Sequence, residues 1–259
     1  MGLKTQIRRM LGHQSTGSPQ PSVVSAQTLA AQFPDVPERW RDAYLPVRPF
    51  TMTSPERVFA LCQATEYAAA QNLPGDFVEC GVWRGGSSMA MLNTLLRINA
   101  APRNVWLYDT FEGMSQPTSD DVDCFGHTAD ALLAESAHDR TSAQSVWCEA
   151  SLEDVRQNVE GTNYPKDKIH YVVGKVEETI PSSVPDQIAL LRLDTDWFDS
   201  TWHELQHLYP RLVSGGILII DDYGHWQGCR QAVDKYLAEF APNLFLNRID
   251  YTGRLAVKP

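Results

Sequence analysis

The sequence predicts an α/β fold in which helices cover both faces of a doubly wound, mostly parallel β-sheet. Short apolar runs that suit strands alternate with longer amphipathic segments from about residue 76 to residue 240. Several of these runs end in acidic residues or in a glycine-rich turn. Two further short strands near the C-terminus are separated by a turn sequence. Alternation of this kind produces βαβ units and a parallel sheet of the Rossmann-like type, here with a C-terminal antiparallel hairpin at one edge.

The first fifty residues are predicted to lie outside this sheet. Residues 1–24 include a stretch rich in glycine, serine, proline and glutamine, which predicts a flexible arm. Residues 25–52 read as an N-terminal helical extension that is interrupted by prolines and carries four aromatic residues. Such a segment cannot form a core alone. We therefore expect it to cover the main domain, residues 53–259, as a lid, or to contact a second subunit.

The elements of the main domain follow from local signals. Its first helix begins with Ser54 as the N-cap and Pro55 at the first position. Apolar runs predict five strands, at residues 76–80, 105–108, 169–173, 188–193 and 217–220. Helical periodicity predicts helices at residues 87–98, 152–159, 201–212 and 229–240. Residues 245–249 and 254–257 are predicted to pair as the terminal hairpin.

The segment 114–145 is an insertion between the second and third strands. It is polar, rich in aspartate, serine and threonine, and contains His127 and His138. A long segment of weak periodicity inside a compact domain is more often a functional loop than a disordered one. We therefore predict a lid.

Composition limits the classes of partner. The chain has 22 basic and 32 acidic residues, a formal net charge of -10, and no cluster of lysine and arginine. This balance excludes nucleic acid and anionic membrane surfaces as expected partners, since neutralising phosphates needs clustered basic residues. The longest apolar run falls short of the roughly 20 residues of a membrane span. Five cysteines without a CxxC pair predict neither a zinc site nor a disulfide framework, and favour a reducing, cytoplasmic location.

Carboxylates follow two of the predicted strands. Asp194 and Asp196 come directly after the strand at residues 188–193, and Asp221 and Asp222 follow the strand at residues 217–220. Ligands bind at the carboxyl ends of strands in an open parallel sheet, so these groups should converge at one edge. Carboxylates held close together repel each other unless a cation lies between them. A hard divalent cation is therefore expected.

A glycine-rich turn follows the first strand. Residues 79–88, ECGVWRGGSS, allow a tight turn and leave the N–H groups of the next helix free to bind a ligand. The spacing is G-x-x-x-G-G rather than G-x-G-x-x-G, which disfavours a nicotinamide dinucleotide. Asp109 ends the second strand, where a cofactor ribose would present its hydroxyl groups. The loop and the acidic residue together predict cofactor binding.

Four segments, in order, resemble the macrocin-type O-methyltransferases, a family that includes sugar methyltransferases of macrolide and aminocoumarin antibiotic pathways. They are residues 79–82 (ECGV) with 85–87 (GGS), residues 108–114 (YDTFEGM), residues 193–196 (LDTD) and residues 221–223 (DDY). The resemblance extends over about residues 51–253. It implies a class I fold that binds S-adenosylmethionine, a Mg²⁺ ion that binds two neighbouring sugar hydroxyls, and a homodimer or tetramer.

The resemblance also implies roles for individual residues. The expected metal ligands are Asp194, Asp221 and Asp222. Asp109 is expected to hold the cofactor ribose, and four residues are expected to line its methionine part: Thr53, Glu79, Gly81 and Ser87. Ser151 and the nearby Glu149 match the adenine contacts more loosely.

The chemistry requires a base, and three candidates remain open. A sugar hydroxyl is a poor nucleophile until a metal ion lowers its pKa and a nearby base takes its proton. Asp194 is the first choice because it lies beside both the metal and the substrate in the expected arrangement. Its role as a metal ligand would reduce its basicity, which leaves Asp196 and His225. Asp196 could equally cap the helix that follows it, and Trp226 could stack on a sugar ring.

Three other functions compete with the sugar O-methyltransferase. A catechol-type O-methyltransferase also uses a metal with two adjacent oxygens, and would need a flat aromatic pocket. A metal-dependent hydrolase would use the same carboxylates without the glycine loop. A non-catalytic cofactor-binding protein would not need Asp194, Asp221 and Asp222. Both a glycosylated secondary metabolite and a cell-surface polysaccharide are compatible acceptors.

Overall fold

A computed structural model describes residues 25–259, so the predicted arm at residues 1–24 lies outside it. Within the described residues, seven strands form one sheet in the order β3-β2-β1-β4-β5-β7-β6. The strands are β1 (Asp76–Cys80), β2 (Val105–Asp109), β3 (Ile169–Val173), β4 (Ile188–Leu193), β5 (Leu212–Ile220), β6 (Asn247–Arg248) and β7 (Arg254–Val257). The first five pair in parallel, and β7 pairs antiparallel to both β5 and β6. The predicted fold class is confirmed.

Nine α-helices accompany the sheet in residues 25–259. They are α1 (Ala26–Gln32), α2 (Glu38–Val47), α3 (Pro55–Ala70), α4 (Gly86–Arg97), α5 (Ala129–Ser136), α6 (Leu152–Glu160), α7 (Val176–Thr179), α8 (Phe198–Leu208) and α9 (Gln227–Phe240). None of these helices is long and apolar enough to cross a membrane. As predicted, Ser54 caps α3, and its hydroxyl accepts a hydrogen bond from the Arg57 N–H group at 3.2 Å.

The sequence prediction was wrong about the boundaries of three elements. The helix predicted at residues 201–212 begins at Phe198 and ends at Leu208, because a 3-10 turn, Tyr209–Arg211, leads into β5 at Leu212. The strand predicted at residues 217–220 therefore starts five residues earlier. The sequence does not predict the first part of β5 because Gly215 and Gly216 lie in it, and glycine is unusual inside strands. The hairpin strand predicted at residues 245–249 pairs only at Asn247–Arg248, and Phe245 is 81% exposed.

The sheet is buried on both faces. Neighbouring residues of a strand point to opposite sides, so Phe77 and Val78 of β1 belong to different clusters of core residues. Helices α3 and α4 cover one face, and α8 and α9 cover the other. Every residue of β4 is buried, in agreement with its apolar sequence. Its one charged residue is Arg192.

The segment 25–52 packs on the face covered by α3 and α4. Leu29 and Val47 are fully buried, and the Phe33 ring meets the Phe59 ring edge to face at 5.3 Å between centroids. The chain then reaches the carboxyl edge of the sheet through residues 50–53. The use of this segment as a lid or in oligomerisation stays a prediction.

Candidate active site

A cavity of about 1330 Å³ opens at the carboxyl edge of the sheet. It is large enough for a nucleoside cofactor together with a second molecule, since drug-sized ligands occupy cavities of roughly 300–1,000 Å³. Its wall includes nine of the predicted site residues: Thr53, Gly81, Ser87, Asp109, Asp194, Asp196, Asp221, Asp222 and His225. Glu79 and Ser151 are not part of this wall.

The glycine-rich turn forms one side of the cavity. Gly81 has a φ angle of +81°, and a Cβ atom there would overlap the main-chain oxygen of Asp194. The carboxyl ends of β1 and β4 therefore approach closely only because this residue is glycine. Gly85, in the left-handed conformation, precedes α4 without a side-chain cap. The free N–H groups and partial positive charge of this helix start suit an anionic or polar ligand.

Asp109, at the end of β2, holds the glycine-rich turn in place through hydrogen bonds. Its Oδ2 atom accepts hydrogen bonds from the N–H groups of Val82 at 2.7 Å and Trp83 at 3.1 Å, and its Oδ1 atom accepts one from Phe111 at 2.7 Å. Burial raises the pKa of this carboxyl group, and the backbone donors oppose that rise. Asp109 also lines the cavity, so its predicted contact with a ribose remains compatible with this role.

Three carboxylates meet at the carboxyl ends of β4 and β5. Oxygen atoms of Asp194, Asp221 and Asp222 lie within 4.8 Å of one another. The Oδ2 atom of Asp222 is buried and accepts no hydrogen bond from any donor among residues 25–259. A buried carboxylate oxygen without a donor is costly unless a proton or a cation compensates it. The set of oxygen donors and this unpaired atom fit a hard divalent cation.

Asp196 lies against Asp222. Burial and the neighbouring charge of Asp194 raise the pKa of Asp196 to about 7. Burial and the charges of Asp196 and Asp194 raise the pKa of Asp222 well above its usual value. The two carboxyl groups lie close together, so either a shared proton or a bound cation would relieve their repulsion. Asp196 is itself in the left-handed conformation, with φ of +67°.

Arg192 neutralises part of this negative charge, and the sequence analysis missed it. Its side chain is only 2% exposed. One terminal nitrogen, Nη1, contacts Glu79 at 2.7 Å and Asp194 at 2.8 Å. The other, Nη2, contacts Asp221 at 2.7 Å and donates to the Thr53 hydroxyl at 3.1 Å. An arginine inside an otherwise apolar strand was the available signal, since a buried cation requires partners.

A second arginine was also missed. Arg57, on α3, pairs with the remaining oxygen of Asp221 and, at 3.1 Å, with Asp250. Asp250 further accepts a hydrogen bond from the Ser54 hydroxyl at 2.7 Å. This network joins the start of α3 to the turn before β7. No local sequence pattern predicts it, because its members are almost 200 residues apart.

Glu79 lies beneath the cavity rather than in its wall. It is 1% exposed and is held by the Ser88 hydroxyl and by Arg192. Burial raises its pKa to about 7, against the opposing effects of Arg192 and Ser88. Its predicted contact with the methionine part of a cofactor stays a prediction, and in this structure its carboxylate is engaged by other side chains.

Ser151 and Glu149 have local partners. The Ser151 hydroxyl caps α6 and accepts a hydrogen bond from the Asp154 N–H group at 3.2 Å. Glu149 forms an ion pair with Arg140 at 2.8 Å. Neither residue is in the cavity wall, where Gln144, Ser145 and other residues of the adjoining segment lie instead. The adenine contacts stay a prediction.

His225 faces the cavity beside the carboxylates. Its Nδ1 atom is 3.4 Å from the Tyr251 hydroxyl, and its ring meets the Trp226 ring edge to face at 5.1 Å. Burial lowers the pKa of His225, the charge of Asp123 opposes that effect, and the nearby Arg57 lowers the pKa further. The imidazole is therefore neutral at neutral pH and can accept or donate a hydrogen bond. Trp226 is 4% exposed and also lines the cavity.

The insertion 114–145 lies over the cavity and is fastened by two buried aspartates. Asp121 accepts hydrogen bonds from the Thr118 N–H group at 2.7 Å and from the Phe198 N–H group, at the start of α8, at 2.9 Å. Asp123 accepts bonds from His127 and pairs as an isolated bridge with Trp226. Residues around α5, including His138, line the cavity. His127 thus supports the insertion, and His138 lines the cavity.

The sequence model described as Macrocin-O-methyltransferase (TylF) matches residues 19–256. The chain belongs to this family. It is therefore an O-methyltransferase, as the sequence analysis predicted. The demethyldecarbamoylnovobiocin O-methyltransferase of Streptomyces niveus is 35% identical over 75% of this chain and 70% of the relative.

Two other named relatives have similar identities. One is the 8-demethyl-8-(2,3-dimethoxy-alpha-L-rhamnosyl)-tetracenomycin-C 4'-O-methyltransferase of Streptomyces olivaceus, 34% identical over 85% of this chain and 80% of the relative. The other is the mycinamicin III 3''-O-methyltransferase of Micromonospora griseorubida, 34% identical over 72% of this chain and 69% of the relative.

Solved structures support the same fold. The O-methyltransferase NovP is 32% identical, with a TM-score of 0.69 over 81% of this chain and 82% of that one. The calicheamicin methyltransferase CalS11 is 18% identical, with a TM-score of 0.57 over 95% of this chain and 99% of that one. The similarity to CalS11 shows a shared fold alone.

Proposed function

We propose that this O-methyltransferase transfers the methyl group of S-adenosylmethionine to a sugar hydroxyl of a glycosylated natural product, with Mg²⁺ held by Asp194, Asp221 and Asp222. The observation that carries the proposal is the convergence of these carboxylates, one of them with an unpaired buried oxygen, beside a glycine-rich turn in one cavity. Family membership supports the reaction type.

The cofactor side is supported by the glycine-rich turn. Gly81 and Gly85 allow a ligand to approach the backbone, and the uncapped start of α4 offers N–H groups. Asp109 ends β2 at the place where a ribose binds in nucleotide-binding α/β folds. S-adenosylmethionine would supply a methyl group bound to a positively charged sulfur.

The metal side is supported by the charges of the site. Burial and the charges of neighbouring carboxylates raise the pKa values of Asp196 and Asp222. A divalent cation would compensate these charges and would lower the pKa of a nearby hydroxyl group. Arg192 and Arg57 already pair with Asp221, and this holds its carboxylate in a fixed orientation.

Asp196 is the base that the geometry favours. Its carboxyl group lines the cavity, and no arginine among residues 25–259 forms an ion pair with it, so it remains available to accept a proton from an acceptor hydroxyl. Asp194 is paired with Arg192, which reduces its basicity. His225 is neutral and is placed to orient the acceptor through a hydrogen bond. The insertion 114–145 would exclude water and help align the two reactants.

The acceptor class rests on the relatives. The name of the Streptomyces olivaceus enzyme specifies a compound with a rhamnosyl group. The cavity wall near the carboxylates combines His225, Trp226 and Tyr251, a mixture of aromatic faces and hydrogen-bonding groups that suits a sugar ring. We further propose that the protein forms a homodimer or tetramer and is located in the cytoplasm.

Binding measurements test the cofactor and the metal separately. We would titrate the purified protein with S-adenosylhomocysteine and with Mg²⁺ by isothermal calorimetry. We expect Asp222→Asn to keep the affinity for S-adenosylhomocysteine and to lose at least tenfold in affinity for Mg²⁺, since a neutral amide replaces one charged ligand. Asp186→Asn, at an exposed position, is the matched control. Absence of S-adenosylhomocysteine binding by the wild-type protein would refute the proposal.

An acceptor screen tests the substrate class. Transfer of a labelled methyl group would be measured with rhamnosylated natural products, with the corresponding aglycones and with a simple catechol, each with Mg²⁺ and with EDTA. We expect product only from the glycosides with Mg²⁺. Methylation of catechol in preference to all the glycosides would favour the catechol-type alternative instead.

A further inference from the structure

Glu204 is a fully buried acidic residue that the proposed reaction does not use. It lies on α8 and has 0% exposure. Both of its carboxyl oxygens contact the Thr195 hydroxyl, at 3.0 and 3.1 Å. Thr195 is the middle residue of the turn Asp194-Thr195-Asp196 after β4. The two contacts therefore connect α8 to the turn that carries a proposed metal ligand and the proposed base.

The surroundings of Glu204 indicate that its position is costly. Among residues 25–259 no arginine, lysine or histidine forms an ion pair with it. Burial raises its pKa well above the usual value, and the charges of Glu177 and Asp194 add to that rise. The Cys80 thiol is a further hydrogen-bonding neighbour. A neutral carboxyl group can both donate and accept a hydrogen bond, which suits a neighbouring hydroxyl and thiol.

The turn above Glu204 is also held by backbone hydrogen bonds and by the Ser200 hydroxyl, which donates to the Thr195 main-chain oxygen at 3.3 Å. The Asp194 N–H group donates to the Cys80 oxygen at 2.8 Å, and the Trp197 N–H group donates to the Thr195 oxygen at 2.7 Å. Asp196 adopts the left-handed conformation, which costs energy for a residue other than glycine. Holding the Thr195 side chain limits rotation of the turn, and so limits the directions in which both flanking carboxylates can point.

We infer that Glu204 is a positioning residue that acts through Thr195 to orient Asp194 and Asp196. This inference rests on the proposed function, because it assigns the two carboxylates to metal binding and proton transfer. Side chains that orient metal ligands from outside typically change metal affinity or activity by about 10–100-fold when removed. The same range is expected for loss of the Glu204–Thr195 contact.

Four variants test the contact from both sides. Glu204→Gln and Thr195→Ser keep a neutral hydrogen-bonding group, whereas Glu204→Leu and Thr195→Val remove it. Thr65→Val, at a fully buried threonine of α3 that is not part of the cavity wall, controls for replacing a buried hydroxyl by a methyl group. For each protein, the affinity for Mn²⁺ would be measured by electron paramagnetic resonance, the affinity for S-adenosylhomocysteine by calorimetry, and kcat and KM by methyl transfer.

We expect Thr195→Val and Glu204→Leu to lose about 10–100-fold in Mn²⁺ affinity or in kcat, with unchanged affinity for S-adenosylhomocysteine. Glu204→Gln, Thr195→Ser and Thr65→Val should remain within a few-fold of the wild-type protein. Wild-type Mn²⁺ affinity and kcat in Thr195→Val would overturn the inference, even if Glu204→Leu does not fold. If the wild-type protein itself binds no Mn²⁺, the metal assignment fails, and kcat of Thr195→Val alone decides the role of Glu204.

Discussion

Arg192 is the counterion shared by three carboxylates of the site. It contacts Glu79, Asp194 and Asp221, which come from the ends of three different strands. These carboxylates lie close together in a region with little water, where an unpaired charge is expensive. The arginine therefore serves both the stability of the sheet edge and the orientation of the carboxylates.

Replacement of Arg192 should destabilise the protein strongly. We expect Arg192→Met to lower the free energy of unfolding by about 3–5 kcal/mol, because it leaves buried carboxylates without their partner. The measurement is urea denaturation followed by circular dichroism. Arg39→Met is the control, since Arg39 is 51% exposed in its ion pair with Glu66 and such pairs contribute about 1 kcal/mol or less. Similar losses from both variants would contradict this assignment.

Glu204 should make the stability of the protein depend on pH. Its pKa is raised in the folded protein above the ordinary 4.5, so the folded state holds a proton that the unfolded state releases. Its contribution is fully present below about pH 4.5 and decreases as the pH rises toward the folded pKa. The groups facing it are Thr195, Cys80, Glu177 and Asp194.

Comparison with Glu204→Gln isolates this effect. In EDTA, the stability of the wild-type protein should fall relative to that of the variant by about 1.4 kcal/mol per pH unit above pH 4.5, until the folded pKa is reached. Urea denaturation of both proteins at pH 5, 6 and 7 measures the difference. Parallel stability curves would show that Glu204 is ionised in the folded state.

At the scale of elements, the site depends on how closely the ends of β1 and β4 approach. Gly81 adopts a positive φ angle directly against the main chain of Asp194. The constraint is therefore both conformational and steric. Gly126, in the insertion, also has a positive φ angle, of +92°, but has no atom within 4 Å of the place where a Cβ would lie.

These two glycines form a matched pair. We expect Gly126→Ala to cost roughly 1–3 kcal/mol from backbone strain alone. Gly81→Ala should cost more and should also abolish binding of S-adenosylhomocysteine, because β1 and β4 must separate. Thermal melting and calorimetry check the two effects. Equal stability losses with intact binding in both variants would show that the turn accommodates a Cβ.

The insertion 114–145 is attached to the helices on which the site is built. Asp121 links it to the first N–H group of α8 and is completely buried. Loss of this cap in Asp121→Ala should cost about 1–2 kcal/mol and should accelerate proteolysis within the insertion. Asp130→Ala, at an exposed position on α5, is the control. Equal rates of cleavage in the two variants would contradict the proposed attachment.

At the scale of the whole molecule, the five cysteines report on the integrity of the fold. All five lie in the described part of the chain and are free thiols; Cys62, Cys80 and Cys229 are buried, Cys148 is half-buried, and Cys124 is exposed. Burial raises the pKa of Cys62 to about 11, which further slows reaction through the thiolate.

A thiol reagent should therefore distinguish the folded from the unfolded chain. We expect Cys124 to react quickly in the native protein, and the three buried cysteines to react only after denaturation. Labelling followed by mass spectrometry of peptides identifies the sites, with Cys124→Ser as the control that removes the fast phase. Rapid native labelling of Cys80 would mean that the centre of the sheet opens readily.

The sequence by itself determined the order of the strands and of most helices, though not α5 or α7, together with the glycine-rich turn and the acidic residues at the ends of β2, β4 and β5. These features depend on short-range periodicity and on the rule that parallel strands end at a common edge, so they can be read locally. The ends of strands could not be predicted from the sequence where glycines lie inside a strand, as in β5. The resemblance to a known family then connected these features to methyl transfer.

Only the tertiary structure decided which side chains meet. Arg192 joins three strands, Arg57 joins α3 to the turn before β7, and Glu204 reaches Thr195 from a neighbouring helix. The partners of a buried charge are chosen by sheet order and helix packing, which bring together residues far apart in sequence. A sequence reveals that a buried charge needs a partner, but the fold determines which partner it has.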